Sequence, residues 1–132
     1  MGKAEDLAVF QILLGEYGRL FSAGDVSRLA AYWTDDFTMM PPNEPTVAGK
    51  ERCRKWHQDF FDQFTGHWTF LPHEAEIAGE WAFVQTSVNG RVIPKSGGEP
   101  IEDRNRIFML CRQPPDGSWK FHRAMWNSPL PG

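Results

Sequence analysis

Four histidines stand in this chain, His57, His67, His73 and His122, and each is a side chain that gives and takes a proton near neutral pH. In a pocket such a ring is a general base, best served by an acid that orients it and stabilises its charged form. The alternative for His57 and His122 is a half-buried ring satisfied by its neighbours. His67 and His73 lie near Glu74 and Glu76, but strand alternation divides the two pairs between opposite faces and their spacing matches no ligand motif, so no metal site is expected. Asp103 stands among Glu102, Arg104 and Arg106, which also reads as a surface ion network near a strand end. Glu44 sits in a proline-rich loop that could bring its carboxylate over a pocket mouth. No phosphate loop, nucleophile elbow or dinucleotide fingerprint occurs, and no cofactor is expected.

The elements that must position these groups follow from periodicity. Phe10, Leu13, Leu14, Tyr17 and Phe21 recur at helical spacing over 4–22. Ser22-Ala-Gly24 ends that helix, and Asp25 caps a short second one whose inner face is Val26, Leu29, Ala30 and Trp33. A short strand, 37–40, is broken by Pro41, Pro42 and Pro45, which lack the amide a ladder needs. Gly49 opens a third helix to Phe64, with Cys53, Trp56, Phe60 and Phe64 inward. The basic side chains Arg52, Arg54 and Lys55 on this helix read as a solvated face. Strands are expected over 67–78, 80–94, 101–113 and 117–127, separated by turns at Ala78-Gly79, Ser96-Gly97-Gly98 and Pro115-Asp116-Gly117. Asn89-Gly90 within the second of these suits either a hairpin turn or a bulge. Helices on one face of a curled antiparallel sheet make an α+β fold, and the space between them becomes a pocket.

Composition sets the frame. The 132 residues allow one core, so one domain over 1–132 is expected. Aromatics are 14% of the chain, with 6 Trp and 10 Phe, large rigid side chains suited to lining a site for an apolar small molecule. A net charge of −3 gives no basic footprint for nucleic acid. Cys53 and Cys111 lie in apolar-patterned segments and are expected as buried free thiols. The start, Met-Gly-Lys-Ala-Glu-Asp, leads into no long apolar run, so neither a signal peptide nor a membrane span is expected and the chain is placed in the cytoplasm.

Several segments in order carry a resemblance: Tyr17-Gly-Arg-Leu-Phe-Ser-Ala-Gly-Asp25, Leu29-Ala-Ala-Tyr-Trp-Thr-Asp-Asp36, Val47-Ala-Gly-Lys-Glu51, Asp116-Gly-Ser-Trp-Lys-Phe121 and Met125-Trp-Asn-Ser-Pro129. Together they resemble the nuclear transport factor 2-like superfamily, in its branch of ketosteroid isomerases and SnoaL-type polyketide cyclases. The resemblance implies a cone-shaped, cystatin-like α+β barrel on three helices, an apolar pocket, and a homodimer packed through the outer sheet face. Ketosteroid isomerases abstract a proton beside a carbonyl with a carboxylate base, and hold the enolate with a Tyr and a protonated Asp.

Carried over residue by residue, the oxyanion tyrosine falls on Tyr17, whose other reading is a core aromatic. The base position is Pro41 and the second acid is Met109, neither of which transfers a proton, so the chain is not expected to be a true ketosteroid isomerase. The same alignment turns Asp103, Asn105, Ile107 and Met109 on the third long strand, and His122, Ala124 and Trp126 on the last, toward the pocket. It also places His57 and Trp33 where pocket tyrosines stand. The expected site is therefore Tyr17 for the oxyanion, His122 or His57 as the base and Asp103 orienting His122. Trp33, Trp56, Phe60, Asn105, Ile107, Met109 and Trp126 would line the ligand.

Overall fold

The structure, a computed structural model, describes residues 2–129. Helix α1 spans Lys3–Ser22 and buries Phe10, Leu14 and Tyr17 of the predicted stripe, with Leu20 added and Leu13 and Phe21 half-buried. Asp6 in its first turn is itself buried and accepts the amide of Ile77 at 3.0 Å, which ties the helix start to the sheet. Gly24, at φ +66°, takes a backbone conformation that costs glycine little. Asp25 then caps α2 (Val26–Ala30), its side chain accepting the amide of Arg28.

Trp33 is the first correction. Expected on the second helix, it instead opens strand β1, Trp33–Met40. Tyr32 accepts the amide of Phe121 at 2.7 Å, and this pairing with the last strand draws the Trp-Thr-Asp-Asp segment into extended backbone four residues before the predicted start. The prolines end β1 as expected. A two-residue strand, β2 (Val47–Ala48), returns beside it. Helix α3 runs Lys50–Gln63, and Phe64 begins β3 (Phe64–Ala78) with no intervening turn. Strands β4 (Trp81–Pro94), β5 (Ile101–Arg112) and β6 (Lys120–Asn127) follow. β6 starts later than predicted because Asp116 accepts both the amide and the hydroxyl of Ser118, holding that segment as a turn.

The six strands form one curled sheet in the order β2-β1-β6-β5-β4-β3. With the helices this is the expected α+β, cystatin-like arrangement. The sheet is antiparallel except where β1 lies parallel to β6, a pairing the antiparallel reading does not contain. Asn89-Gly90 is neither hairpin nor bulge, since β4 continues in register, Asn89 opposite Arg104 and Gly90 opposite Asp103. Both cysteines are buried free thiols, and burial pushes the Cys111 thiol up to about 12.

Candidate active site

Between the concave face of the sheet and helices α1 and α3 lies a cavity of about 270 Å³. Its buried lining includes Tyr17, Phe37, His57, Phe70, Met109 and Phe121, and its half-buried lining includes Pro42, Trp56, Phe60, Asp103, Asn105 and Trp126. Of the predicted residues, Tyr17, His57, Asp103, Trp56, Phe60, Asn105, Ile107, Met109 and Trp126 line it. Trp33 and His122 do not.

Trp33 stands one layer behind. Its indole stacks on Phe37 and tilts against His57, with centroids 5.1 and 4.8 Å apart, and its Nε1–H donates to the Tyr17 hydroxyl at 3.0 Å. The Tyr17 oxygen thus accepts from Trp33, while its own hydrogen has no acceptor among the described residues. Burial raises the Tyr17 pKa above its ordinary value, against the lowering effect of the Trp33 hydrogen bond. The phenol therefore stays neutral and remains a donor.

His57 projects from the middle of α3 with Nδ1 2.8 Å from the Cys53 carbonyl, one turn back. A carbonyl only accepts, so Nδ1 carries the proton and Nε2 keeps a lone pair. No described residue engages that nitrogen. Burial pushes the imidazole down to about 4, the Cys53 hydrogen bond opposing, which makes the ring neutral at physiological pH.

His122 is the second correction. Simple alternation from Trp126 and Ala124 turns residue 122 inward, but the β5–β6 ladder slips between Leu110↔Arg123 and Cys111↔Phe121. His122 is the extra residue of that bulge, and the cavity position passes to Phe121. The ring meets Trp81 at 5.2 Å, and its Nδ1 lies 3.1 Å from Thr34 Oγ1 and 3.3 Å from Asp36 Oδ1. Asp36, not Asp103, is its acid.

Asp103 faces the cavity instead. Trp68 Nε1–H donates to its Oδ2 at 2.9 Å and Asn105 Nδ2–H to its Oδ1 at 2.8 Å. The surface-network reading holds for its neighbours: Arg104 pairs with Glu102 at 2.8 Å and Arg106 bonds Asn127. Glu44 is exposed and does not line the cavity; its Oε1 accepts Trp56 Nε1–H at 3.0 Å, strapping the proline loop to a ring of the cavity lining. Trp68, missed in the sequence, has a signal there. Gly66 stands two residues before it on β3 and Gly90 opposite it on β4, and glycines within strands mark a close approach.

The SnoaL-like domain family matches residues 14–124. The chain belongs to the SnoaL-like domain family of the nuclear transport factor 2-like superfamily. Comparison with curated proteins finds no match. Among solved structures, this SnoaL-like chain is similar to a ketosteroid isomerase-like protein from Erwinia carotovora atroseptica, at 25% identity, with 96% of this chain and 98% of that one covered and a TM-score of 0.84. It also resembles a nuclear transport factor 2-like protein with a cystatin-like fold from Novosphingobium aromaticivorans, at 16% identity, 98% and 85% coverage and a TM-score of 0.73. A provisionally assigned scytalone dehydratase from the same species shares the fold at 15% identity, 94% and 83% coverage and a TM-score of 0.76. No helix among the described residues is long and apolar enough to cross a membrane.

Proposed function

We propose that this SnoaL-like protein is an enzyme of enolate chemistry, moving a proton next to the carbonyl of a small, largely apolar compound. The observation that carries this reading is the pair of unused hydrogen-bonding groups on the cavity wall, the Tyr17 O–H and the His57 Nε2 lone pair. Buried polar groups are normally satisfied, and a donor and an acceptor left open among aromatic faces suit a ligand that completes both. In the proposed step, the C–H electron pair moves into a carbon–carbon double bond as His57 Nε2 takes the proton. The carbonyl π electrons move onto oxygen, and the Tyr17 hydroxyl donates to the resulting enolate. Returning the proton at another carbon isomerises the substrate; attack of the enolate on a second carbonyl cyclises it. A base pushed down to about 4 is weak, so the substrate carbon must be acidified by a further unsaturated group.

The test needs no natural substrate. 2-Tetralone, a bicyclic ketone with an activated carbon, exchanges its α hydrogens for deuterium in D2O, and NMR follows the rate. The protein should accelerate exchange well above buffer, and Tyr17→Phe should lower that acceleration about 100-fold, the scale of losing one oxyanion donor. Exchange no faster than buffer overturns the reading.

Pro41 and Met109 leave apolar the two positions where the isomerases carry acids, which favours a second reading, a ligand-binding module without catalysis; binding of 2-naphthol without any exchange would decide for it. We also propose a homodimer through the outer sheet face. Leu71, Phe108 and Met125 are exposed there, and Phe108 stacks on Phe83 at 5.6 Å. Sedimentation of wild-type protein against Phe108→Lys checks this assembly.

A further inference from the structure

Asp103 has no part in the step above, yet its surroundings are built with care. The Trp68 indole reaches it by lying over two positions without a side chain, Gly66 on its own strand and Gly90 on β4. A Cβ at Gly90 would come within 2.6 Å of Trp68 Cδ1 and 2.5 Å of the His67 carbonyl oxygen, and one at Gly66 within 2.6 Å of the far side of the same ring. Gly90 stands in register between Trp68 on β3 and Asp103 on β5. Two glycines therefore make the slot through which an indole N–H is delivered to this carboxylate.

What that delivery leaves undone points to a ligand. Both donors to Asp103, Trp68 and Asn105, are neutral. Asp103 forms no ion pair with a Lys or Arg among the described residues, because Arg104 is committed to Glu102 and Arg106 bonds Asn127. A half-buried carboxylate is thus fixed at the cavity wall by uncharged donors, with lone pairs to spare and no counter-charge. The half-buried Phe60, its ring 5.8 Å from that of Trp68, lines the cavity together with Trp56 and Trp126, and the faces of such rings attract cations.

We propose that the cavity wall around Asp103 is a subsite for a cationic nitrogen, read by Asp103 and the aromatic rings, so that the ligand joins an apolar ring body to a protonated amine. This rests on the reading of the cavity as a small-molecule site. It adds that the part of the molecule that meets Asp103 carries positive charge.

Three probes with one naphthalene body test it by calorimetry at pH 7.5: 2-(aminomethyl)naphthalene, which is cationic, 2-naphthalenemethanol, which is a neutral donor, and 2-naphthoate, which is anionic. The amine should bind at least 10-fold tighter than the alcohol, and the naphthoate weakest. The advantage of the amine should shrink as salt is raised. In Asp103→Asn the amine-to-alcohol ratio should fall to within about 2-fold of one. In Glu102→Gln, on the opposite face of the strand, the ratio should stay at its wild-type value. Equal affinities for amine and alcohol in the wild-type protein, or a preference that survives Asp103→Asn, overturn the cationic subsite alone. If no naphthalene probe binds, the small-molecule reading of the cavity fails as well.

Discussion

His57 and His122 share a residue type and a depth, with relative exposures of 4% and 9%, and differ in almost everything a proton would notice. His57 is packed among the rings of Phe21, Trp33, Trp56 and Phe61, and its one polar contact among the described residues is a helix carbonyl. His122 touches one aromatic ring, Trp81, and has Asp36 and Thr34 within reach. The first ring has an open nitrogen on the cavity wall; the second is tied to the rim on the other side of a bulge. Depth alone does not make a histidine a candidate base. What matters is which face of the element carries it and what its second nitrogen is left to do.

The sharpest way to break this contrast is kinetic. In the deuterium-exchange assay, His57→Gln should reduce the protein's acceleration at least about 100-fold, within the usual range for a general base. His122→Gln should stay within about 2-fold of wild type. Comparable losses in both variants would mean that the cavity wall does not separate the two rings functionally. Near-ultraviolet circular dichroism guards the comparison against variants that fail to pack.

Next in size is an effect on stability. Burial holds the folded pKa of His57 near 4, below the 6.5 of an unfolded chain. Between these values the unfolded state binds the proton and the folded state does not. Stability is therefore complete above about pH 6.5 and is lost as pH falls toward 4. Between pH 7.5 and pH 5 this one group should remove about 2 kcal/mol, an order-of-magnitude figure from the linkage relation and the depressed pKa. Carboxylates also titrate at the lower end, so the measurement is a difference: urea unfolding of wild type and His57→Gln at both pH values. The variant should lack that share of the loss. Parallel curves for the two proteins would show that His57 is not held neutral.

The same two residues mark where sequence reasoning reaches. Helix periodicity located α1 and α3, and with them Tyr17, Trp56 and Phe60, because an amphipathic helix writes its buried face into spacing; His57 came from the resemblance instead. On β5 the alignment to the resembled family turned Asp103, Asn105, Ile107 and Met109 inward, and all four line the cavity, because no irregularity interrupts that strand before Leu110. On β6 the inward assignment holds for Ala124 and Trp126 and fails at His122, where a one-residue slip passes the cavity position to Phe121. Nothing in Lys-Phe-His-Arg announces a bulge; it arises from fitting the strand between β5 and the parallel β1. Trp33 failed for a related reason, since a long-range pairing with the C-terminal strand overrode a local helical pattern. Asp103 was found, but its partner was not, because strand pairing and not sequence distance brings Trp68 to it.

The smallest expected effect sharpens the rim side of the comparison. His122 is also held below its ordinary pKa, first by burial and then by Arg123, while Asp36 acts the other way. Asp36 is exposed, so solvent screens that opposing charge and its influence is modest. Replacing it in Asp36→Asn removes the one acidic influence that favours the charged ring, and the His122 pKa should move further down. His57 lies apart from this pair, with no contact to Asp36, and its ring signals should not change their titration in the variant. Histidine ring resonances followed by NMR across pH 4–8 separate the two sites in one sample. An upward shift of His122, or a matching movement of both rings, would mean that the rim pair and the cavity histidine belong to one electrostatic unit. Independent behaviour supports the division drawn from the bulge, in which one ring lines the cavity and the other is held at the rim by Thr34 and Asp36.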